Sequence, residues 1–566
     1  MAKSDERQMG EFERGAYEFA RQWATGLNRR DLLKAFGTAG VAGAAALATP
    51  ERLLAAPLSG ARKHLARNQD AVTVKIARGQ LSDTLDPHKS TLLVAHEIMW
   101  QIYDSLIYLD ASGEVLPGAA TEWTFSEDNL TITFKLREIN FHDGTPLTAQ
   151  VVADTVTRML DPATASPNVG MLGPLDTVEV IDDHTVAYKF TAPFVPIFVG
   201  LGFSYCAPIS TAAVAQFGDE FGRHPVGTGP YKFIDWTADD TIILEKNAEH
   251  DWSTPYYVVQ QPPQIDRVEF AVIPDDATRL AAVTSGEVDI VAGTDAVPID
   301  KINSLKEESG ISVVTAPVTG VYYLNLNHKM APFDNLQVRQ AINYAIDRQS
   351  IVDLVLDGNG KPATSLLASA FAAADQTVEP YTYDPEKAKS LLAEAGMESG
   401  FSTTYLNIAP PALFTRAAEV IQENLAAINI QIELQSFPVA QWGGEGDSGK
   451  YGISFSYYTY NEPDVLYLLA YSGNYFNFAW PKGLEGGDGA TTFDDELDAL
   501  LEQQRLEFDA AKRTDLLKQA QQRINSQAHY VMLWETVQAA VVREGIQGVA
   551  VDLVGFIHLQ ELTKTS

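Results

Sequence analysis

Three short stretches hold residue types and spacings that could do chemistry. Gly444-Glu-Gly-Asp-Ser-Gly449-Lys450 has the spacing of a phosphate-binding loop. Such a loop is followed by Ser or Thr to hold Mg²⁺, and Tyr451 stands there instead. Two acids inside the loop would repel phosphate, and no apolar strand leads directly into it. His96-Glu97 begins like a helical zinc-protease motif, but Trp100 occupies the second histidine position. That removes one of the three protein ligands a catalytic zinc needs, and His96 is expected on a helix surface. His142-Asp143 could be half of a catalytic pair, yet no local serine or cysteine nucleophile signature accompanies it. The ten histidines are scattered along the chain. No catalytic residue, metal or cofactor is expected, and the chain does not read as an enzyme.

A fourth stretch points to binding. Residues 451–480 read YGISFSYYTYNEPDVLYLLAYSGNYFNFAW, dense in aromatics and holding Asn461, Asn474 and Asn477. Rigid rings beside amides suit a pocket that stacks on a small ligand and hydrogen-bonds to it. The competing reading is a core strand followed by a packed loop. Core packing accounts for Ile453 and Phe455. It accounts less well for Tyr457, Tyr458, Tyr460, Tyr467, Tyr471 and Tyr475, because each buried hydroxyl needs a partner.

The surrounding elements alternate in type. Val72–Ala77 and Ile132–Leu136 alternate like half-buried strands. Leu147–Leu160 reads as a helix stopped by Asp161-Pro162. Val178–Ile181 and Thr185–Phe190 form strands around the turn Asp182-Asp183-His184, and Tyr231–Trp236 and Thr241–Glu245 pair around 238–240. Arg267–Ile273 is another strand, and a helix from Asp276 to Thr284 closes at Gly286. Tyr322–Asn327 is a strand and Leu336–Leu356 one long helix. Asp384-Pro385 opens a further helix that ends before Gly396. Phe414–Ile428 is helical and leads into the strand Ile430–Leu434. Residues 443–449 form a flexible loop, and Asp494 to Ala528 a long helix or a broken pair. Interleaved strands and helices make the class α/β or mixed.

Composition narrows the partners. The chain has 566 residues, 46% of them hydrophobic and 20% charged, which describes a globular protein of at least two domains. Its 74 acids against 41 bases give a formal net charge of −33. Nucleic acid and anionic membrane surfaces would be repelled. Cys206 is the only cysteine, so no intrachain disulfide can form.

Near the start stands NRRDLLKAFGTAGVAGAAALA, residues 28–48. The uncharged run 35–48 is too short to span a bilayer, which takes about 20 apolar residues. It fits the apolar region of a signal peptide, with an A-x-A site at Ala46-Leu47-Ala48 and an alternative cut within Leu53-Leu54-Ala55-Ala56. Arg29 and Arg30 resemble a twin-arginine export signal, the pathway that carries folded proteins. The expected place is the periplasm, with no membrane span in the mature chain.

Several stretches together resemble one family. They are LSDTLDPHKS (81–90), FKLREINFHDGTPLTAQVVADTVTRMLDP (134–162), HPVGTGPYKFIDW (224–236), IPDDATRLAAVTSGEVDI (273–290), YYLNLNHKMAPFDNLQVRQAINYAIDRQSIV (322–352) and YDPEKAKSLLAEAG (383–396). In this order they are similar to the extracytoplasmic solute-binding proteins of ABC importers, the peptide/nickel-binding family 5. The motif residues themselves read as structural: Gly144 in a turn, Thr148 as a helix cap, Gly227, Gly229 and Pro230 as turn chemistry. Asp347 and Arg348 read as solvent or ion-pair positions near a helix end.

The resemblance implies a two-lobed periplasmic-binding-protein-like α/β fold of the class II type with an extra third domain. Residues 1–56 would be the signal peptide and flexible start. Residues 57–104, 227–316 and 541–566 would form lobe I, 105–226 the extra domain and 317–540 lobe III. The implied function is to bind a peptide or peptide-like solute between lobes I and III, as a monomer, and deliver it to an inner-membrane ABC permease. An oligosaccharide, opine or metal chelate is the alternative cargo, and an exported hydrolase a remote one. The implied solute contacts are Tyr322, Trp442, Tyr457, Tyr458, Thr459, Tyr460, Asn461, Glu462 and Asp464. Dipeptide-binding relatives typically anchor the peptide amino group on an aspartate, and Thr459 falls at that position. Glu462 or Asp464 would then have to substitute, because a buried ammonium without a carboxylate is costly.

Overall fold

The computed structural model of the chain describes residues 71–80, 82–110, 113–237, 241–257, 262–409, 411–460, 462–474, 476–481 and 493–565. Arg29, Arg30, the expected leader, the turn at 238–240, Asn461 and Tyr475 lie outside the described residues.

Strand-length apolar alternation builds one mixed sheet of eleven strands. Its order is Ile430–Phe437, Phe401–Ile408, Ile453–Tyr458, Ile311–Leu326, Tyr530–Arg543, Ile290–Val291, Thr73–Arg78, Arg267–Val272, Ile242–Lys246 and Tyr231–Trp236. Gly360–Pro362 adds to Tyr530–Arg543 off this path. Two central strands are unusually long, Ile311–Leu326 with 16 residues and Tyr530–Arg543 with 14. They pair antiparallel from Ile311 opposite Arg543 to Asn325 opposite Tyr530, with a register shift between Pro317 and Val321. Pro317 has no N–H to give the ladder, so an irregularity belongs there.

Each long strand therefore serves two cores. At one end Val541 and Ala539 pack with Ala77, Val283 and Val291. At the other, Leu324, Val531 and Trp534 pack with Ile342, Ile421 and Phe455. Register also sets direction. Ile290–Val291 runs parallel to Thr73–Arg78 and antiparallel to Tyr530–Arg543, with Val291 opposite Val541. Ile453–Tyr458 runs antiparallel to Ile311–Leu326, with Tyr458 opposite Val321. The carboxyl ends of these two strands thus point toward each other along the long pair. The loops that leave them, 292–298 and 459–464, approach the shifted register from opposite sides. Carboxyl ends of strands are where α/β sheets take ligands.

A separate four-stranded antiparallel sheet, Ala120–Phe125, Thr131–Leu136, Thr185–Phe190 and Leu175–Asp182, lies within 105–226. The helix Ala149–Leu160 covers it, and Thr148 caps that helix by accepting from the Val151 N–H. Such a cap is worth about 1 kcal/mol. The core under this sheet holds Phe134, Val152 and Tyr188, and it takes Val554 and Phe556 from the far end of the chain. Gly227 and Gly229 lie against the backbone of Ile102 so closely that a Cβ at either would collide with it. Asp384 caps Pro385–Glu394, and Gly286 and Gly396 follow their helices with positive φ, as expected.

Four sequence expectations need correction. Leu336–Leu356 is two helices, Leu336–Ala345 and Arg348–Val355, because Ile346 is extended and Asp347 caps the second through the Ser350 N–H. Arg348 is not at an ion-pair or solvent position. It is buried and donates to the carbonyls of Asn343, Met532 and Tyr381. Residues 443–449 are not a flexible loop, since 443–447 complete the helix Val439–Asp447. Buried Trp442 anchors that helix, and Gly446 packs against Phe478 where a Cβ would not fit. His96 is fully buried, with Nδ1 2.6 Å from the Ser204 Oγ. The stretch 494–528 is a broken pair, Asp495–Leu506 and Ala510–Ser526, the second capped by Asp509.

Candidate functional site

Period-two alternation divides the aromatic stretch between two faces of one strand. Tyr457 faces the core that holds Trp534. Its ring stacks on Tyr322, with centroids 5.3 Å apart at 13°, and Tyr322 stacks in turn on Trp534 at 4.6 Å and 14°. Both tyrosines are half-buried, so the stack ends in an accessible wall. Trp534 is fully buried below them, and its indole N–H has no hydrogen-bond partner. Burial raises the pKa of both tyrosines, and the nearby Asp295 carboxylate raises them further. At neutral pH both rings are un-ionised phenols.

Tyr458 and Tyr460 face the other way. Their rings are 6.2 Å apart, and they line a cavity of about 140 Å³ with Asp464 and Tyr467. Across it stand Asn168, Met171 and Phe194, from the segment beside the four-stranded sheet. Burial pushes the Tyr458 hydroxyl up to about 12. Thr459 sits between the two faces, with its Oγ1 placed where a Cβ on Gly320 would come within 2.7 Å. The structure therefore brings Tyr322 and Tyr457 together, and Tyr458, Tyr460 and Asp464 together, but on opposite sides of the strand.

The remaining sequence candidates have partners of their own. Glu462 is buried and pairs with Arg513, while its other oxygen accepts from the Asp464 N–H. Asp464 pairs with Arg505 at 3.3 Å and accepts from the Gln504 amide. Burial raises the Asp464 pKa, against the pull of Arg505. Trp442 is a core residue whose Nε1–H donates to the Phe455 carbonyl at 2.9 Å.

The other stretches with chemical potential resolve into structure. Glu97 pairs with Arg78 inside the protein at 3.0 Å. His142 lies 2.9 Å from the Gly229 carbonyl through Nε2, while Asp143 accepts from Thr145 and Ser210, so the two do not act on one atom. Lys450 of the Gly444–Lys450 stretch is exposed and pairs with Glu445 at 3.6 Å. Among the described residues no cluster of His, Cys, Asp or Glu is placed to hold a metal ion. No described helix is long and apolar enough to cross a membrane.

One acid that sequence reading missed stands near enough to Tyr322 and Tyr457 for its charge to act on both hydroxyls. Asp295 sits in the loop after Ile290–Val291, with φ 55° and an exposed side chain. The Gln538 amide donates to it at 3.5 Å. A positive φ is uncommon for a residue other than glycine, and Asp tolerates it better than most. The sequence signal was adjacent, because the motif 273–290 ends at the strand that launches this loop.

Comparison with known proteins follows the same lines. Residues 114–479 match the bacterial extracellular solute-binding proteins, family 5 Middle. The chain is 30% identical over 492 residues to the glutathione-binding protein GsiB of Escherichia coli O1:K1 / APEC, covering 86% of this chain and 92% of that one. Its fold matches NikA from Brucella suis in complex with Fe(III)-EDTA, with a TM-score of 0.76 at 23% identity, over 87% of this chain and all of that one. It also matches the periplasmic binding protein DppA from Helicobacter pylori in complex with peptide STSA, with a TM-score of 0.69 at 24% identity, over 87% and 98%. The carboxyl-end loops facing one another, the stacked aromatic wall and the matched residues agree: the chain belongs to the bacterial extracellular solute-binding proteins of family 5.

Proposed function

We propose that this chain is the periplasmic substrate-binding component of an ABC importer, carrying a peptide or peptide-like solute to an inner-membrane permease. The observation that carries this reading is the Tyr322–Tyr457–Trp534 stack, which ends as an open wall beside the shifted register of the two long strands. A flat, rigid wall next to a carboxylate suits a small solute with apolar and charged parts. The glutathione- and peptide-binding relatives support that class of cargo, and the Fe(III)-EDTA complex keeps a chelate as the second reading.

In this reading the long pair is the hinge. One lobe comprises 57–104, 227–316 and 541–566, the other 317–540, and 105–226 is the extra domain. Tyr322 and Tyr457 contact solute directly. Tyr458, Thr459 and Tyr460 shape the adjoining wall, Asn461 is a further solute contact by sequence alone, and Glu462 and Asp464 brace the wall through Arg513 and Arg505. The solute is bound and released unchanged, and the chain acts as a monomer. Arg29 and Arg30 direct export by the twin-arginine pathway. Replacing both with lysine is expected to abolish periplasmic accumulation, measured by fractionation.

The deciding experiment is native mass spectrometry of the mature protein purified from periplasm, followed by release and identification of what it carries. A peptide is the expected result. A metal chelate, opine or sugar replaces the peptide reading. A cleaved product in place of an added ligand overturns the binding role itself.

A further inference from the structure

We propose that the cavity between Tyr458, Tyr460 and the segment 167–200 is a pocket for one aromatic ring that carries an O–H or N–H donor, as a tyrosyl side chain does. That the solute presents this ring rests on the peptide-type reading above, while the pocket itself stands on its own geometry.

Its two walls come from distant parts of the chain. One is built by Tyr458, Tyr460 and Tyr467 of the aromatic stretch, the other by Asn168, Met171 and Phe194 from beside the four-stranded sheet. Each wall is fixed by its own packing. The Phe194 ring lies so close over Gly173 that a Cβ there would come within 2.3 Å of it. The Tyr458 ring stands 5.6 Å from that of Phe476, and Tyr467 stacks on Tyr471 at 4.4 Å and 19°. The walls are also joined at the rim. The Val195 N–H donates to the Arg505 carbonyl at 2.8 Å. The Arg505 guanidinium lies 5.0 Å from the centre of the Phe194 ring and 3.9 Å from that of Tyr467. The space between the walls is therefore set before any solute arrives, and a preformed pocket costs little to organise on binding.

Size and polarity name the group. The cavity holds about 140 Å³, and an apolar protein cavity of about 150 Å³ takes up benzene. Aromatic faces and the Met171 thioether suit a ring through edge, face and sulfur contacts. One polar atom is then left over. Asn168 is buried, and its Nδ2 donates to the carbonyls of Pro87 at 3.1 Å and Ser90 at 2.8 Å. Those two bonds fix the orientation of the amide. They leave Oδ1 buried, with no donor among the described residues. A buried acceptor without a donor is costly. A ring bearing O–H or N–H supplies the donor, and a plain phenyl ring does not.

The test uses the mature protein, freed of bound solute by dialysis, and two probes, p-cresol and toluene, titrated by ligand-observed NMR. Wild-type protein is expected to bind p-cresol about ten-fold more tightly than toluene, as one net hydrogen bond implies. Met171→Trp and Leu468→Trp fill the cavity from its two walls, and each should abolish binding of both probes. Asn168→Ala should keep toluene and lose the advantage of p-cresol. Thermal unfolding shows which variants fold. If folded Met171→Trp or Leu468→Trp still binds p-cresol, or if wild type binds toluene equally well, the pocket is overturned. Tripeptides that differ only in a tyrosine or an alanine, counted by native mass spectrometry, separate the pocket from the peptide reading. Wild type should prefer the tyrosine members, and Met171→Trp should lose that preference. Equal capture of both sets by wild type overturns the ring assignment and leaves the peptide reading standing. Binding of p-cresol in the cavity with no tripeptide captured overturns the peptide reading and leaves the pocket standing.

Discussion

The loops 459–464 and 292–298 leave facing strand ends and both carry carboxylates beside tyrosines, yet they are built oppositely. Glu462 and Asp464 are met by arginines from the helices Asp495–Leu506 and Ala510–Ser526. Asp295 is met by one amide. Burial explains the contrast. A carboxylate taken out of water needs a counter-charge inside the protein, and Glu462 is taken out of water. Asp295 keeps a solvent-exposed side chain and so needs no counter-charge, even though the protein around it raises its pKa. The two carboxylates of the first loop are therefore matched by cations, and that of the second is met by an amide. Sequence distance to the tyrosines singled out Glu462 and Asp464, but what decides the role of an acid is which basic side chains the fold delivers to it.

That comparison can be broken most directly at Glu462. Glu462→Gln leaves Arg513 largely buried without its counter-ion and is expected to cost about 3–5 kcal/mol, read from urea denaturation. A loss below about 1 kcal/mol with binding abolished would exchange the roles of the two loops. Trp442→Phe comes next. It strips the donor from the Phe455 carbonyl, for an expected loss of about 1–3 kcal/mol with solute affinity unchanged. Weakened affinity at constant stability would return Trp442 to the solute.

Acid tests whether structural burial or the open site responds first. Burial pushes His88 down to about 3 and His142 down to about 4. Both are neutral in the folded protein at pH 7, and His88 accepts from Arg158 at 2.7 Å through Nδ1. The unfolded chain protonates them near the ordinary value of about 6.5. Folded pKa values below the unfolded one mean that stability is complete above pH 6.5. It is then lost as pH falls toward 4, by on the order of 1 kcal/mol per pH unit for each histidine. Urea midpoints at pH 7.5 and 5 measure this, and His142→Gln should flatten the slope. The smallest stability change belongs to Asp295→Asn, expected within about 0.5 kcal/mol of wild type. A loss of several kcal/mol by the same measurement would make Asp295 a structural acid like Glu462.

Much of the architecture was legible before folding was considered. Strands with strict alternation, such as Thr131–Leu136, and helices marked by Asp or Thr caps, such as Ala149–Leu160, were found within a few residues. Their signals are local: period-two burial, a capping oxygen, a glycine at positive φ. The broken helix at Ile346 and the helical 443–447 were missed for the converse reason. Asp347 caps the new helix while Asn424 accepts its N–H, and the glycine-rich 443–447 continues a helix whose buried Trp442 is held by the Phe455 carbonyl. Those partners lie elsewhere in the chain.

The same division runs through the site. The residues of this chain, taken alone, determined a binding protein of the family 5 type and an aromatic-dense stretch at 451–480. Tertiary structure decided that Tyr457 and Tyr458 serve different faces and that Trp442 is core. It also decided that Glu462 and Asp464 are paired with arginines while Asp295, more than 160 residues earlier in the chain, meets the Gln538 amide. Alternation and caps act over a few residues and can be read in order. Charge pairing and stacking act through space, and only the fold sets which groups meet.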